Sequence, residues 1–397
     1  MLAAVLTLVA GLVLAGCSAS PDEQTGAGQG LDSLDEPASA SKPAGTGADH
    51  RHGTARTPPH QPLRDGERLV RLSMPAAYTP SAPHGSGTDD YRCFVLDPRL
   101  DEDSFLTGHD ILPGTPAEVH HVILFRVPPE AVADVQAQDD EEPGEGWTCF
   151  GGTGVETGDQ LDDAPWLGAW APGGGEQVMT RDVGVPMPKG SRVIMQVHYN
   201  LLAGASADVT SAQLRLAPGT KRLAALETML LPAPVELPCR PGRRQGRLCD
   251  RAAAVADAAE RFGDVGQTAD FLHLLCGPLR TGPVQSCDRV VRRPATIRAV
   301  AGHMHLLGRS IRVQVNPGTP RTRTVLDIPA WNFDDQSATP VDAVPLRRGD
   351  TLRVTCRHDQ ALRDLLPELR GQQERYVVWG EGTTDEMCLG LLLVTRP

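Results

Sequence analysis

The sequence predicts a mainly β protein made of two antiparallel sandwiches, with a small disulfide-rich helical insert in the second. Three observations predict it. Gly 41 and Pro 34 together exceed ordinary usage, which favours short strands and turns over long helices. At 397 residues the chain is too long for one ordinary core and fits two domains of roughly 150 residues. Alternating apolar and polar residues recur at turn-bounded intervals in both halves, the rhythm of a sandwich.

The first apolar segment reads as an export signal. Residues 1–16 are almost wholly apolar and end in Leu14-Ala15-Gly16 before Cys17, too short a run to span a bilayer in a mature protein. Leu-Ala-Gly-Cys resembles the lipobox of bacterial lipoproteins, which implies cleavage before Cys17, lipidation of its thiol, and an exported protein anchored to a cell-envelope membrane. No Lys or Arg precedes the apolar run, a departure from that pattern. Residues 17–66 are rich in Ser, Pro, Gly, Ala, Thr and Asp. Such a tract cannot bury enough surface to fold and is expected to be a flexible linker. The net charge of −12 comes with no basic stripe, which argues against a nucleic-acid partner. Membrane contact is expected only through the anchor.

The folded part is expected from 67 onward, as residues 67–217 and 218–397. In the first part, strands are expected at Arg68–Met74, Tyr91–Leu96, Val119–Val127, Arg192–Asn200 and Ala212–Leu216. In the second they are expected at Leu223–Leu230, Ala295–His305, Ser310–Val315, Thr324–Ile328, Thr351–Cys356, Arg375–Trp379 and Cys388–Thr395. Between about 238 and 290 the pattern turns helical, at Ala252–Phe262 and Thr268–Leu275, flanked by Cys239, Cys249, Cys276 and Cys287. Nine Cys less Cys17 leaves eight, an even number that fits disulfides in an oxidising compartment. The spacing lacks the Cys-x-x-Cys pairs of zinc modules.

Two trios of potential ligands carry the chemistry. His198 shares a strand face with Gln196, a candidate neighbour to a metal site. His120 and His121 are adjacent, so in a regular strand they point to opposite faces; both reach one ion only through a bulge, a twist or different ring nitrogens. His303 and His305 are spaced to share a face of a strand over Ala299–Leu306. Met387, among Thr384, Asp385 and Glu386, is in an odd setting for core filler. Imidazole suits both oxidation states of copper, and a thioether favours Cu(I).

The succession His120-His121, Gln196-Val-His198-Tyr, His303-Met-His305 and Asp385-Glu-Met387-Cys resembles the copper type II, ascorbate-dependent monooxygenases, which include the peptidylglycine and dopamine hydroxylating enzymes. The resemblance covers roughly 67–395, with Trp331-Asn-Phe-Asp334 and Arg348-Gly-Asp350 also similar. It implies two jelly-roll-like sandwiches, and pairing of Cys93 with Cys149 and of Cys356 with Cys388. It implies two copper ions facing each other across a solvent-filled cleft. His120, His121 and His198 would hold the copper that supplies electrons; His303, His305 and Met387 would hold the catalytic, oxygen-binding copper. The implied activity is hydroxylation of a C–H bond of a small organic substrate with O₂ and ascorbate or another one-electron reductant.

Departures narrow the substrate. Amidating members carry an Arg two residues before the first His of the oxygen site, where this chain has Ala301, and Asn and Tyr after the Met, where it has Leu389 and Leu391. Without the Arg, a bidentate carboxylate contact is lost. Asp385 or Glu386 are the candidates for an amine-binding carboxylate, and His109 for a group adjoining the site. Two other readings compete: a cell-surface copper-binding or sequestering protein without turnover, and a zinc hydrolase built on the three-His trio.

Overall fold

The computed structural model describes residues 60–83, 88–155, 161–263, 267–333 and 335–397. The expected signal peptide, Cys17, the linker as far as 59, and Asp334 lie outside these residues. Among the described residues no helix is long and apolar enough to cross a membrane.

The fold is largely β, with a few short helices and four disulfides. The largest sheet runs in the order Arg68–Ser73, Ser211–Pro218, Ser104–Leu112, Val183–Met187, Ala224–Pro232, Leu389–Thr395, Ala295–His303 and Thr339–Leu346, with Gln177–Val178 added against Ser104–Leu112. It passes from the first half of the chain to the second through a short parallel pairing, Ala224 with Val183 and Ala225 with Gly184. A five-stranded sheet follows the order Trp147–Thr148, Asp89–Leu96, Arg192–Asn200, Val119–Val127, Trp166–Trp170. A four-stranded sheet follows Val284–Val290, Thr351–His358, Gly308–Val315, Arg323–Ile328.

Alternation along these strands builds two cores. Leu106, Ile111, Val185 and Leu214 of the large sheet cluster with Phe94, Val122, Leu124 and Met195 of the five-stranded sheet. Met229, Ile297, Val300 and Leu392 of the large sheet cluster with Ile311, Val313, Leu352 and Val354 of the four-stranded sheet. A smaller cluster lies around Cys93, Phe125, Val135 and Trp147, where the helix Val132–Glu141 packs. At roughly 25 cal/mol per Å² of apolar surface removed from water, these clusters are the main favourable term in the fold. Residues 60–66, expected in the linker, run close to the first core: Arg215 donates to the carbonyls of Gln61 (2.9 Å) and Pro62 (2.8 Å) and pairs with Glu67 and Glu176.

The helical insert contains Arg251–Phe262 and Thr268–Cys276. Asp250 caps the first helix by accepting from the Ala253 N–H at 3.0 Å, which satisfies one of the amide donors a helix start leaves free. Disulfides Cys239–Cys249 and Cys276–Cys287 bracket the pair, while Cys93–Cys149 and Cys356–Cys388 tie more distant segments.

Candidate metal centre

His120 and His121 reach the same place because the strand Val119–Val127 is irregular where they lie. Its register against Arg192–Asn200 shifts between Val119, opposite Tyr199, and His121, opposite His198. His120 is the extra residue, so the alternation that would separate the two imidazoles is broken there. One ligand atom from each of His120, His121 and His198 lies within 4.8 Å of the others, a cluster that can hold a single metal ion. The His120 and His198 Nδ1 atoms are 2.9 Å apart. Two nitrogens each about 2.0 Å from a tetrahedral ion would sit about 3.3 Å apart, so the spacing needs little change.

An oxygen acceptor orients three of the candidate imidazoles through one ring nitrogen each. His198 gives its Nε2–H to Asp89 Oδ1 at 2.8 Å, which leaves Nδ1 facing the cluster. His303 Nδ1 meets Gln336 Oε1 at 2.6 Å, and His305 Nδ1 meets the Asp385 carbonyl at 3.3 Å, so both keep Nε2 as the unprotonated nitrogen. An oxygen acceptor on one ring nitrogen is the usual way a ligating imidazole is oriented and its tautomer fixed. The buried nitrogens His120 Nε2, His121 Nδ1 and His305 Nε2 have no hydrogen-bond partner, a costly condition for a buried polar atom that nothing else uses. Burial drives His120 and His121 well below the ordinary imidazole range, reinforced by His198. It brings His303 down to about 3, with His305 adding to the effect. Neutral imidazole is the form that ligates.

Two residues of the strand Asp89–Leu96 hold His198 in place. Tyr91 stacks on its ring, centroids 3.9 Å apart at 14°. Asp89 Oδ1 also accepts from Thr383 N (3.1 Å) and Thr383 Oγ1 (2.6 Å), and its Oδ2 from Thr88 Oγ1 (2.7 Å). Burial alone would raise the Asp89 carboxyl; the His198, Thr383 and Thr88 contacts outweigh it and hold the group below the usual carboxylate range. Through Asp89 the first trio is joined to the segment that carries Met387.

The second group is arranged differently from the sequence expectation. The strand Ala295–His303 ends at His303, and His305 lies beyond it. The two rings come within 5.2 Å by the turn of the chain rather than by strand periodicity. Glu386 fixes that turn: its buried carboxylate accepts from the backbone N–H groups of His305 (3.0 Å), Leu307 (2.5 Å) and Met387 (3.1 Å). Asp385 is held by both guanidinium nitrogens of Arg261 from the helical insert, at 2.7 and 2.8 Å. Neither carboxylate lines the adjoining cavity, so neither is placed to receive a cationic substrate. Gln196 turns to the backbone of the Cys149–Gly152 loop, meeting the Gly152 carbonyl at 3.2 Å.

The two groups adjoin. His121 and His303 meet edge to face with ring centroids 6.1 Å apart, and His120 packs on Phe333 at 4.7 Å, where a solvent-filled cleft was expected. His121 and His303 both form part of the wall of a cavity of about 450 Å³. Trp166, Trp170, Leu391 and Leu393 make much of the remaining wall, with Ala301 beside His303; Leu389 does not reach it. The charged side chains at the wall are neutralised by neighbours, Arg298 by Asp182 and Glu176 by Arg215. Such a concave apolar volume is the usual form of a small-molecule site. Asp89, Tyr91, Gln336 and Arg261 carried no signal in the sequence, since each meets its partner across strand pairing or tertiary contact.

No family model and no curated protein matches this chain. Solved structures with some similarity include one from Sulfolobus turreted icosahedral virus, at 10% identity and TM-score 0.17, covering 82% of this chain and 58% of that one. The infectious bursal disease virus VP2 subviral particle gives 7% identity and TM-score 0.20, covering 86% and 74%. Allantoicase gives 11% and 0.16, covering 79% and 90%. At such scores these similarities carry no argument about fold or function.

Proposed function

We propose that this chain is a copper-dependent monooxygenase that hydroxylates a C–H bond of a small, apolar organic substrate, using O₂ and a one-electron reductant such as ascorbate. The observation that carries the reading is the convergence of His121 and His303, one from each ligand group, on the wall of one apolar cavity. His120, His121 and His198 would hold one copper ion, and His303, His305 and Met387 the other. Bound there, copper would supply one-electron redox chemistry and the capacity to activate O₂.

The protein's own contribution is orientation and exclusion of water. Asp89, Gln336 and the Asp385 carbonyl each accept a hydrogen bond from one ring N–H and leave the other nitrogen for the ion. Trp166, Trp170, Leu391 and Leu393 offer an apolar body a dry surface beside His303, and desolvation of that kind suppresses side reactions with water. Ala301 leaves room where an anion-binding Arg would stand, consistent with a substrate lacking a carboxylate.

The same reading includes two jelly-roll-like sandwiches and an exported lipoprotein anchored through Cys17. Support for the anchor is the Leu14-Ala15-Gly16-Cys17 sequence, and loss of lipid labelling in Cys17→Ser tests it. The function is tested by metal analysis after exposure to both copper and zinc, followed by O₂ uptake with reductant and candidate substrates. Two copper ions and substrate-dependent O₂ uptake are expected. Tight copper binding with no substrate-dependent uptake would leave a copper-sequestering protein; preferential zinc binding would leave the hydrolase.

A further inference from the structure

The cavity wall contains one polar side chain that the ligand groups do not use. His109 is buried, 4% exposed, within the strand Ser104–Leu112. Neither ring nitrogen has a hydrogen-bond partner by distance and angle, and the backbone of Ala169 is the polar group that acts on the ring. Among the described residues of the wall, the buried side-chain polar atoms left unpartnered are these two nitrogens and His121 Nδ1. His121 belongs to the metal trio, so His109 stands alone.

Packing accounts for the ring's position and not for its nitrogens. The ring lies against the bare Cα of Gly168, where an added Cβ would come within 2.2–2.6 Å of three ring atoms. A phenyl ring would fill that space without leaving polar atoms unsatisfied, and an unsatisfied buried nitrogen is unfavourable unless a ligand completes it. Burial pushes His109 down to about 4, against an upward pull from the Ala169 backbone, so near neutrality the ring is uncharged. A neutral imidazole offers one N–H donor and one acceptor nitrogen. It therefore pairs with a hydroxyl or a carbonyl without an ionic partner.

We propose that His109 is the hydrogen-bonding anchor of the cavity, which takes a neutral, largely apolar molecule bearing one hydroxyl or carbonyl group. The proposal deepens the reading above by naming its substrate class, and it rests on this cavity being the substrate site. Trp166, Trp170, Leu391 and Leu393 would hold the apolar body, and His109 would set which end of it faces His303.

The test compares binding of benzyl alcohol with toluene, without turnover, to the metal-loaded protein under anaerobic conditions, by calorimetry. The readout is the ratio of the two dissociation constants. His109→Phe and His109→Leu are expected to reduce the wild-type preference for benzyl alcohol about tenfold while toluene binding holds or strengthens; His109→Gln is expected to retain most of it. A ratio within twofold of wild type in both apolar variants overturns the proposal. Should neither variant fold, a wild-type crystal structure with benzyl alcohol decides: its oxygen within hydrogen-bond distance of a His109 nitrogen supports the anchor, and its oxygen elsewhere refutes it. Failure of O₂ uptake would remove the monooxygenase reading and leave this preference standing, so the two fail separately.

Discussion

Replacing Asp89 with Asn removes one negative charge and leaves an acceptor oxygen in the same place. In the native protein three donors converge on Oδ1, from His198 Nε2, Thr383 N and Thr383 Oγ1, while Thr88 Oγ1 satisfies Oδ2. An Asn amide can keep the first three and turn its NH₂ toward Thr88, whose hydroxyl then accepts. The substitution thus isolates the charge on a hydrogen bond between side chains that are 0% and 8% exposed. A charge-assisted bond of this kind contributes about 1.5–3 kcal/mol net, and loss of an outer partner to a ligating His costs about 10–100-fold in metal affinity. Asp89→Asn should weaken the three-His site about tenfold, and Asp89→Ala about a hundredfold. The assay is competition for Cu(I) with a chromophoric chelator, in a His303→Ala/His305→Ala background so that only the first site is read. Affinities within twofold of the parent for both variants would refute the role assigned to Asp89.

Other expectations follow from single contacts. Arg261→Ala leaves Asp385, 4% exposed, with the Gly382 N–H at 3.2 Å and Arg375 at 3.9 Å, and should destabilise the protein by on the order of 3 kcal/mol, read as a lower denaturant midpoint. Leu391→Ala should cost about 2–4 kcal/mol by enlarging the cavity, and Leu391→Asp should abolish toluene binding altogether; calorimetry and thermal melts check both. In the folded state His109 stays neutral down to about pH 4, whereas in the unfolded chain it takes up a proton near its ordinary value of 6.5. Unfolding therefore binds a proton in that window, and stability falls as pH drops from 6.5 toward 4, by roughly 3 kcal/mol at most. His109→Phe should be less acid-sensitive than wild type over that range and equal in slope above it.

How far the fold was readable depends on where apolar alternation is uninterrupted. Val119–Val127 and Arg192–Asn200 have the bounds expected from pattern alone, and the helical pair differs from expectation by a residue at some ends. Ser104–Leu112 went unread because Thr107-Gly-His-Asp110 breaks its apolar run, even though those residues are buried by neighbouring strands. The helix Val132–Glu141 buries only Val135, too little to print a 3.6-residue rhythm. Trp166–Trp170 and Val183–Met187 are short and cut by Gly and Pro, the residues that ordinarily mark turns. In the site, His120, His121 and His198, which form a cluster able to hold one metal ion, were readable as candidate ligands from their type. Their geometry was not: the irregularity at His120 and the end of the strand at His303 depend on which strands pair, and Asp89 lies 109 residues from His198 and 294 from Thr383.

The place of Leu389–Thr395 in the large sheet sets an order on how this molecule is made. Last in chain order among the described strands, it lies in the sheet's interior, between Ala224–Pro232 and Ala295–His303, and Leu389 pairs directly with His303. A chain still being synthesised can close the short Cys239–Cys249 and Cys276–Cys287 loops long before that gap is filled. Long-range pairing of this kind forms slowly. Until it forms, Glu386 is not in place to accept from the N–H groups of His305 and Leu307, so a nascent or truncated chain leaves that turn unfixed. Completion of the polypeptide therefore comes before the setting of the turn that carries His303 and His305.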